Sequence, residues 1–225
     1  MKVILFGATG MIGQGVLREC LLASDVELVE TVGRSATGSQ HPKVREVVHR
    51  EMQDYSTIER ELTGFDACFF CLGVSSAGMS EADYERVTYG VTLAAAGTLA
   101  RLNPGMTFVY VSGQGTDSAE RVRKTRRVAW ARIKGKTENA LLRLPFKGAY
   151  MFRPGIIQPL HGVKSKTGWY RMLYAVTKPL LTPLRLQFPA YILTTEQIGR
   201  AMLEIARHGA PKPILESADI ARISS

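Results

Sequence analysis

The sequence predicts an α/β protein in which a doubly wound parallel sheet carries helices on both of its faces. Short apolar segments of strand length alternate along the chain with segments whose apolar residues recur at helical spacing. In addition, the first apolar segment ends in a glycine turn that leads directly into a helical segment. Because parallel strands need long crossover connections, this alternation is typical of consecutive βαβ units.

Six segments are predicted to be strands because they are short, mainly apolar and rich in β-branched or aromatic residues. Turn-forming residues end several of them: Gly7 follows the first, Gly33 the second and Pro154 the sixth. The six predicted strands are Met1–Phe6, Glu27–Val32, Val44–His49, Ala67–Leu72, Thr107–Val111 and Tyr150–Arg153.

Five segments are predicted to be helices from the period of their apolar residues. The third of them stops at Asn103, which a proline and a glycine follow, and Thr194 or Thr195 supplies an N-cap for the fifth. The predicted helices are Met11–Ala23, Thr57–Leu62, Ala82–Leu102, Arg127–Leu144 and Glu196–His208, and Ile214–Ile223 forms a closing segment.

The length and composition predict one domain over residues 1–225, since 45% of the residues are hydrophobic and 22% are charged. Residues 158–195 break the alternation and are expected to form an irregular insertion. No apolar run is long enough for a signal peptide or a membrane span, and three cysteines fit a reducing compartment, so we expect a cytoplasmic protein. Cys68 and Cys71 lie three apart in a predicted strand and should face opposite sides, so no metal site is expected.

The glycine turn after the first strand predicts a Rossmann-type dinucleotide site. Such a turn directs main-chain N–H groups and a helix N-terminus at an anion, here a pyrophosphate. Gly7 would allow the tight turn, Gly10 the approach of the phosphates, and Gly13 the packing of the helix on the strand. In the alternative, the glycines serve only as turn residues. The residues expected at the phosphates are Gly7, Thr9, Gly10, Met11, Ile12 and Gly13.

The residues after the second strand favour NADP(H) over NAD(H). A site for NAD usually carries an acid there, which binds the ribose 2′-hydroxyl. This chain has Arg34 and Ser35 instead, and an arginine offers a planar fork to a 2′-phosphate. In the alternative, Arg34 is a solvated loop charge and either cofactor binds.

Several further motifs appear in one order with the glycine turn, and together they resemble those of a known superfamily. They are Val32-Gly33-Arg34, Cys71-Leu72-Gly73, Val111-Ser112, Lys134-Gly135 and Phe152-Arg153-Pro154-Gly155. The chain thus resembles the atypical members of the extended short-chain dehydrogenase/reductase superfamily, in particular the HIV-Tat-interacting-protein-like oxidoreductase group.

This resemblance implies roles for residues outside the glycine turn. Leu72, Gly73 and Val74 would pass the adenosine ribose and the nicotinamide half of the cofactor, and Arg153 with Pro154 would flank the nicotinamide end. The segment 158–195 would form a substrate pocket or lid.

The resemblance also implies a catalytic Ser, Tyr and Lys, the last two spaced as YxxxK. Ser112 matches the serine and Lys134 the lysine, but the tyrosine position is occupied by Trp130. The indole N–H is a donor that does not titrate in water, so Trp130 cannot replace the phenol as acid or base. A literal YxxxK, Tyr174 to Lys178, follows the sixth strand and is interpreted as unrelated, and Tyr89 is another candidate for the missing phenol.

Two functions remain open from the sequence. The first is an NADP(H)-dependent oxidoreductase, or an epimerase-like enzyme, that acts on a small carbonyl or alcohol; Ser112 would polarise the substrate oxygen and Lys134 would hold the ribose. The second is an NADP(H)-binding sensor or regulator that lost turnover together with the tyrosine.

The net charge of +9 is concentrated in one region of the chain. Residues 121–195 contain 16 Lys and Arg against a single acid, Glu138. This excess can be plain solvated surface, can attract the anionic cofactor or an anionic small-molecule substrate, or can contact a membrane surface through Trp169–Leu186. No groove-reading motif supports nucleic-acid binding. The expected assembly is a monomer or homodimer.

Overall fold

A seven-stranded parallel sheet forms the centre of the protein. The computed structural model describes residues 1–121, 129–162 and 191–225. The sheet has the strand order β3-β2-β1-β4-β5-β6-β9, and each neighbouring pair is parallel. The predicted fold class is therefore confirmed. Its strands are β1 Lys2–Phe6, β2 Leu28–Gly33, β3 Val44–Val48, β4 Ala67–Phe70, β5 Thr107–Val111, β6 Gly148–Arg153 and β9 Ile214–Glu216.

Helices cover both faces of this sheet. The first, fifth and sixth helices pack on one face, and the third and fourth pack on the other. The helices are α1 Met11–Leu22, α2 Glu81–Glu85, α3 Val91–Leu102, α4 Ala129–Leu141, α5 Thr195–His208 and α6 Ser217–Ile223. Within the three described ranges, none of them combines the length and the apolar composition that crossing a bilayer requires.

Alternation along the strands builds a separate apolar core on each face. In β1, Val3 and Leu5 belong to the core beneath α1 and α5, whereas Ile4 and Phe6 belong to the core beneath α3 and α4. Cys68 lies in the second core and Cys71 packs against the first, so the two thiols are on opposite faces of the sheet.

The direction in which the strands are added reverses beside β1, and this places a crevice there. Phe6 at the end of β1 pairs with Val32 of β2 on one side and with Phe70 of β4 on the other. In doubly wound sheets, ligands bind in the crevice outside the carboxyl ends of the strands at such a reversal. The glycine turn begins at this point.

Several predicted elements differ in detail from the observed ones. The long helix predicted over 82–102 is divided into α2 and α3 by a π-turn, Arg86–Gly90. The Gln53 amide lies beside this turn and donates to the Arg86 carbonyl at 3.5 Å. The short helix predicted at 57–62 reduces to a 3₁₀ turn, Ser56–Ile58. The closing segment divides into β9 and α6.

Two short strands stand at the ends of the segment predicted as an irregular insertion. Ile156–Gln158 (β7) pairs in parallel with Ile192–Thr194 (β8), which forms a second, two-stranded sheet. Thr194 then caps α5, and the side chain of Gln197 completes the capping box by accepting from the Thr194 N–H. Trp169, Tyr174 and Lys178 lie outside the described residues.

Candidate functional site

A cavity of about 420 Å³ opens at the carboxyl ends of β1, β2, β4 and β5. The glycine turn forms one wall of the cavity, and the segments after β2 and β4 form a second wall. The end of β5 and the Lys134 side chain of α4 form the third. The predicted site residues that line the cavity are Gly7, Thr9, Gly10, Met11, Ile12, Arg34, Ser35, Leu72, Gly73, Ser112 and Lys134.

Gly7 takes a backbone conformation that favours glycine and leaves no room for a side chain. Its φ is +77°, and a Cβ there would lie 2.7 Å from the carbonyl carbon of Cys71. The turn closes through a hydrogen bond of 2.9 Å from the Gly10 N–H to the Gly7 carbonyl. Both features follow from the close approach of the turn to the end of β4.

Gly13 lies behind the turn, not in the cavity. A Cβ on Gly13 would lie 2.1 Å from the Gly7 oxygen, so α1 packs directly on the turn at this position. The packing role expected of Gly13 agrees with this contact, whereas its expected place among the residues at the phosphates does not, because the turn lies between it and the cavity.

The N-terminus of α1 is suited to an anion. Within the described part of the chain, no side chain caps Gly10, and the first turn of α1 carries no acid. The first N–H groups of a helix have no partner inside the helix, and the helix dipole adds partial positive charge there. A glycine turn that a Cβ would obstruct and an uncapped helix end together fit a pyrophosphate.

The loop after β2 is held in place by an acid that the sequence reasoning missed. The main-chain N–H groups of Thr37 and Gly38 donate to Glu46 Oε1 of β3 at 2.7 and 3.0 Å, and the Thr37 hydroxyl donates to the same oxygen. The hydrogen bond from Thr37 holds the pKa of the Glu46 carboxyl below its usual value. Arg34 and Ser35 lie exposed in this loop, on the wall of the cavity.

Ser112 and Lys134 are brought together at the other end of the cavity. The Ser112 and Thr116 hydroxyl oxygens are 2.9 Å apart, and because the Thr116 hydroxyl donates to the Gly113 carbonyl at 2.7 Å, the Ser112 hydroxyl acts as the donor between the two. Lys134 Nζ donates to the carbonyls of Val111 at 3.3 Å and Ser112 at 3.1 Å. Burial lowers the pKa of Lys134 to about 8, and the nearby charge of Glu138 opposes part of this shift.

Trp130 is one turn before Lys134 on α4 but does not line the cavity. Its Cη2 would lie 3.6 Å from a Cβ on Gly115, so the indole packs along the loop that follows Ser112. Tyr89 does not line the cavity either, and Lys136 Nζ lies 4.5 Å from the centre of its ring. Among the described residues, no tyrosine lines the cavity.

Arg153 has its guanidinium in an ion-pair network, and the cavity lining does not include it. Nε donates to Glu138 Oε1 at 3.0 Å, and a second hydrogen bond joins the guanidinium to Glu138 Oε2. The same group bonds to Ser118 Oγ and, at 3.3 Å, to Glu216 Oε1. This network joins β6, α4 and the end of β9.

Two more predicted residues also lie outside the cavity lining. Pro154 is buried, and its carbonyl accepts from the Gln114 N–H at 3.0 Å, whereas Val74 is exposed beyond the end of β4. The sequence reasoning missed several residues that do line the cavity. They are Ala8, Thr31, Val32, Gly33, Thr37, Cys71 and Val111. All but Thr37 lie within two residues of the end of a strand, and this position is the signal that could have found them.

The fold is that of the extended short-chain dehydrogenase/reductases. DesIV, a dTDP-glucose 4,6-dehydratase from Streptomyces venezuelae, superposes with a TM-score of 0.70 at 16% identity over 96% of this chain and 75% of its own. A short-chain dehydrogenase/reductase from Saccharomyces cerevisiae superposes with a TM-score of 0.66 at 15% identity over 99% of this chain and 98% of its own. These superpositions confirm the fold that the resemblance implies, and the similarity to HTATIP2 supports the group that the sequence motifs indicate.

Among curated proteins, the chain is similar to fungal FMP52 proteins and to HTATIP2. It is 30% identical to FMP52-2 of Scheffersomyces stipitis over 68% of this chain, and the match spans 65% of that protein. It is 25% identical to FMP52 of Debaryomyces hansenii over 96% of this chain and 90% of the relative. It is 25% identical to HTATIP2 of Rattus norvegicus over 69% of this chain and 62% of the relative. No family model matches the chain.

The expected cytoplasmic location is wrong. The FMP52 relatives from Scheffersomyces stipitis, Meyerozyma guilliermondii and Debaryomyces hansenii are mitochondrial proteins, which points to mitochondria instead. The number of cysteines cannot separate these compartments, because it reports only on whether disulfides are expected.

Proposed function

We propose that the protein binds a nicotinamide dinucleotide, with a preference for NADP(H), and acts as an oxidoreductase or epimerase-like enzyme on a small carbonyl or alcohol. One observation carries this proposal: a single cavity has an uncapped helix end with its glycine turn on one side and Ser112 with Lys134 on the other. Solved proteins of the same fold, DesIV and WbmF of Bordetella bronchiseptica, hold NAD in their structures.

Different residues along the cavity would bind different parts of the cofactor and the substrate. The glycine turn and the N-terminus of α1 would hold the pyrophosphate, and Arg34 with Ser35 would hold the 2′-phosphate. A bound nicotinamide supplies or accepts a hydride. Ser112 would donate a hydrogen bond to the substrate oxygen, for which its hydroxyl must turn from Thr116. Lys134 would hold the nicotinamide ribose.

The cofactor preference predicts a measurable difference in affinity. We expect NADPH to bind more than about tenfold tighter than NADH, since a bidentate pair of Arg34 with a phosphate adds about 1.5 to 3 kcal/mol. Arg34→Ala should remove most of this difference, as measured by calorimetric titration with both cofactors. Arg60→Ala, at an exposed arginine outside the cavity, is the matched control and should leave the preference unchanged. Equal affinities of the wild type for NADPH and NADH would contradict the preference.

The second candidate function is an NADP(H)-binding sensor or regulator without turnover. The observation that favours it is the position of Trp130, which takes the place of the catalytic phenol and packs along Gly115, outside the cavity lining. Cofactor binding is expected under both functions, so only turnover separates them.

Substitutions at Trp130 and Ser112 separate the two candidates. If the protein is an enzyme, the wild type oxidises NADPH with a panel of small carbonyls, and Ser112→Ala lowers kcat about 100-fold or more by removing the donor to the substrate oxygen. If it is a sensor, the wild type shows no turnover and Trp130→Tyr creates it. Trp130→Phe is the control, because it differs from Trp130→Tyr only in the hydroxyl.

We further propose that residues 1–225 form one domain and that residues 158–195 form the substrate pocket or lid within it. The described ends of this segment support a defined boundary, because β7 and β8 pair with one another. The segment is basic and acid-free, which favours an anionic small-molecule substrate.

A further inference from the structure

The cavity contains few side chains that could exchange a proton with a substrate. Among its described lining residues, the titratable side chains are those of Arg34, Cys71 and Lys134. Arginine stays protonated in proteins. Burial raises the pKa of the Cys71 thiol far above its ordinary value, so this thiol stays protonated near neutral pH. Lys134 is therefore the group that can change its protonation state near neutral pH.

The position of Lys134 Nζ leaves a donor for a ligand. An ammonium has three N–H donors, and two of them serve the carbonyls of Val111 and Ser112. Within the described part of the chain, those two carbonyls are the hydrogen-bond partners of Nζ. The Ser112 hydroxyl starts from the same residue as the second carbonyl. Ser112 and Lys134 also line the same cavity, so the third donor of Lys134 can serve the nicotinamide ribose or a substrate oxygen bound by Ser112.

The charged and titratable groups around Lys134 do not fix it as a permanent cation. On α4, both carboxylate oxygens of Glu138 accept hydrogen bonds from the Arg153 guanidinium. On β5, the ring of Tyr110 lies 5.3 Å from Nζ, and burial raises the pKa of its phenol, so it stays neutral. On the loop after β5, Asp117 pairs with Arg121.

We propose that Lys134 is the residue that exchanges the proton with the substrate oxygen, in place of the missing phenol. This inference rests on the proposed oxidoreductase function and deepens it. In the reduction of a carbonyl, a bound reduced nicotinamide dinucleotide would supply the hydride for the new C–H bond, so the carbonyl would be reduced and the dinucleotide oxidised. The oxygen takes a proton from Lys134 Nζ: an O–H bond forms, an N–H bond breaks, and the neutral amine then recovers a proton from water.

The first test measures the protonation of Lys134 without any turnover. Trace acetylation with acetic anhydride across a pH series, read by mass spectrometry, reports the fraction of each lysine that is a free amine. We expect Lys134 to titrate with an apparent pKa of about 8. Lys136 on the same helix is the control, because its ion pair with Glu85 raises its pKa. NADPH should slow the acetylation of Lys134 and leave that of Lys136 unchanged. An apparent pKa of Lys134 near the ordinary lysine value of about 10.4 would overturn the proposal.

The second test separates proton transfer from cofactor binding. Lys134→Arg keeps the positive charge and its donors but cannot release a proton at accessible pH. At saturating NADPH, so that a change in cofactor affinity does not enter, we expect kcat for carbonyl reduction to fall about 100-fold, the ordinary contribution of a general acid. The wild-type kcat should fall as pH rises above about 8, because the ammonium is the donor.

The outcomes of these two tests are distinguishable from failure of the proposed function. If the wild type reduces carbonyls and Lys134→Arg keeps its kcat and its pH profile, the role of Lys134 is wrong while the oxidoreductase function stands. If the wild type binds NADPH but reduces no carbonyl, the oxidoreductase function fails and this inference fails with it. Because acetylation uses the wild-type protein, it decides the pKa even if Lys134→Arg does not fold.

Discussion

Replacing Gly135 by alanine is expected to destabilise the protein by about 3 kcal/mol or more, the upper part of the range for overpacking. A Cβ at this position of α4 would lie 1.9 Å from the main-chain oxygen of Asp117. A backbone atom cannot rotate away as a flexible side chain can, so α4 and the loop after β5 would have to separate. The hydrogen bond of 3.1 Å from the Asp117 N–H to the Ala131 carbonyl holds the same two segments together.

The matched control is Gly97→Ala in α3. No heavy atom lies within 4 Å of a Cβ built on Gly97, so the substitution adds a better helix former at no steric cost. We expect it to stabilise the protein by up to about 1 kcal/mol. Chemical denaturation of the three proteins measures both changes. Equal stabilities of Gly135→Ala and Gly97→Ala would contradict the close contact of α4 with Asp117.

The same substitution should also affect the site. The loop that contacts Gly135 begins at Ser112, whose hydroxyl bonds to Thr116, the residue immediately before Asp117. If the loop moves, the hydroxyl of Ser112 loses its position relative to Lys134. We therefore expect Gly135→Ala to lower kcat more than it lowers the affinity for NADPH, since the glycine turn lies on the opposite wall of the cavity.

The parts of the fold that could be predicted from the sequence are those that depend on local patterns. The apolar strands and the glycine turn give strong local signals, and the contact of Gly13 with the turn follows from the motif itself. Ser112 follows the end of β5, and strand ends of a parallel sheet meet at one edge, so its place in the cavity can be predicted. Lys134 comes from α4, and only the resemblance implies that it lies beside Ser112.

The parts that could not be predicted depend on contacts between distant residues or on side-chain direction. Trp130 was placed at the tyrosine position by counting from Lys134, but counting does not show that its indole packs along Gly115. The hydrogen bond from the Thr37 N–H to Glu46 Oε1 joins the loop after β2 to β3, and the sequence does not define the path of that loop. The pairing of β7 with β8 joins segments more than thirty residues apart.

The clearest example is Arg153, which the motif placed beside the nicotinamide. Its position at the end of β6 was a sequence prediction, and the structure has it there. Its direction is set by Glu138, which is fully buried on α4 and would be an uncompensated charge without a partner. A sequence shows that both residues exist, but it does not show that they meet.

Removing one partner of this buried ion pair is expected to lower the stability of the protein strongly. Arg153→Ala should destabilise the protein by about 3 to 5 kcal/mol, because it leaves the carboxylate of Glu138 buried without its counter-charge. The control is Arg86→Ala, which breaks the exposed pair with Asp83 and should cost less than about 1 kcal/mol. Chemical denaturation measures both, and a loss below about 1 kcal/mol for Arg153→Ala would contradict the structural role of the pair.

The double variant Glu138→Leu with Arg153→Met separates a structural role of Arg153 from a role at the cofactor. Apolar side chains of similar volume often replace a buried ion pair at little cost, so the double variant should recover most of the stability that Arg153→Ala loses. If Arg153 serves only to neutralise Glu138 and to join β6 to α4, the folded double variant should bind NADPH as tightly as the wild type. If the double variant is stable but binds NADPH tenfold or more weakly, Arg153 contacts the nicotinamide end of the cofactor. The stability would show that the ion pair has been replaced, so the loss of affinity would come from a lost contact with NADPH.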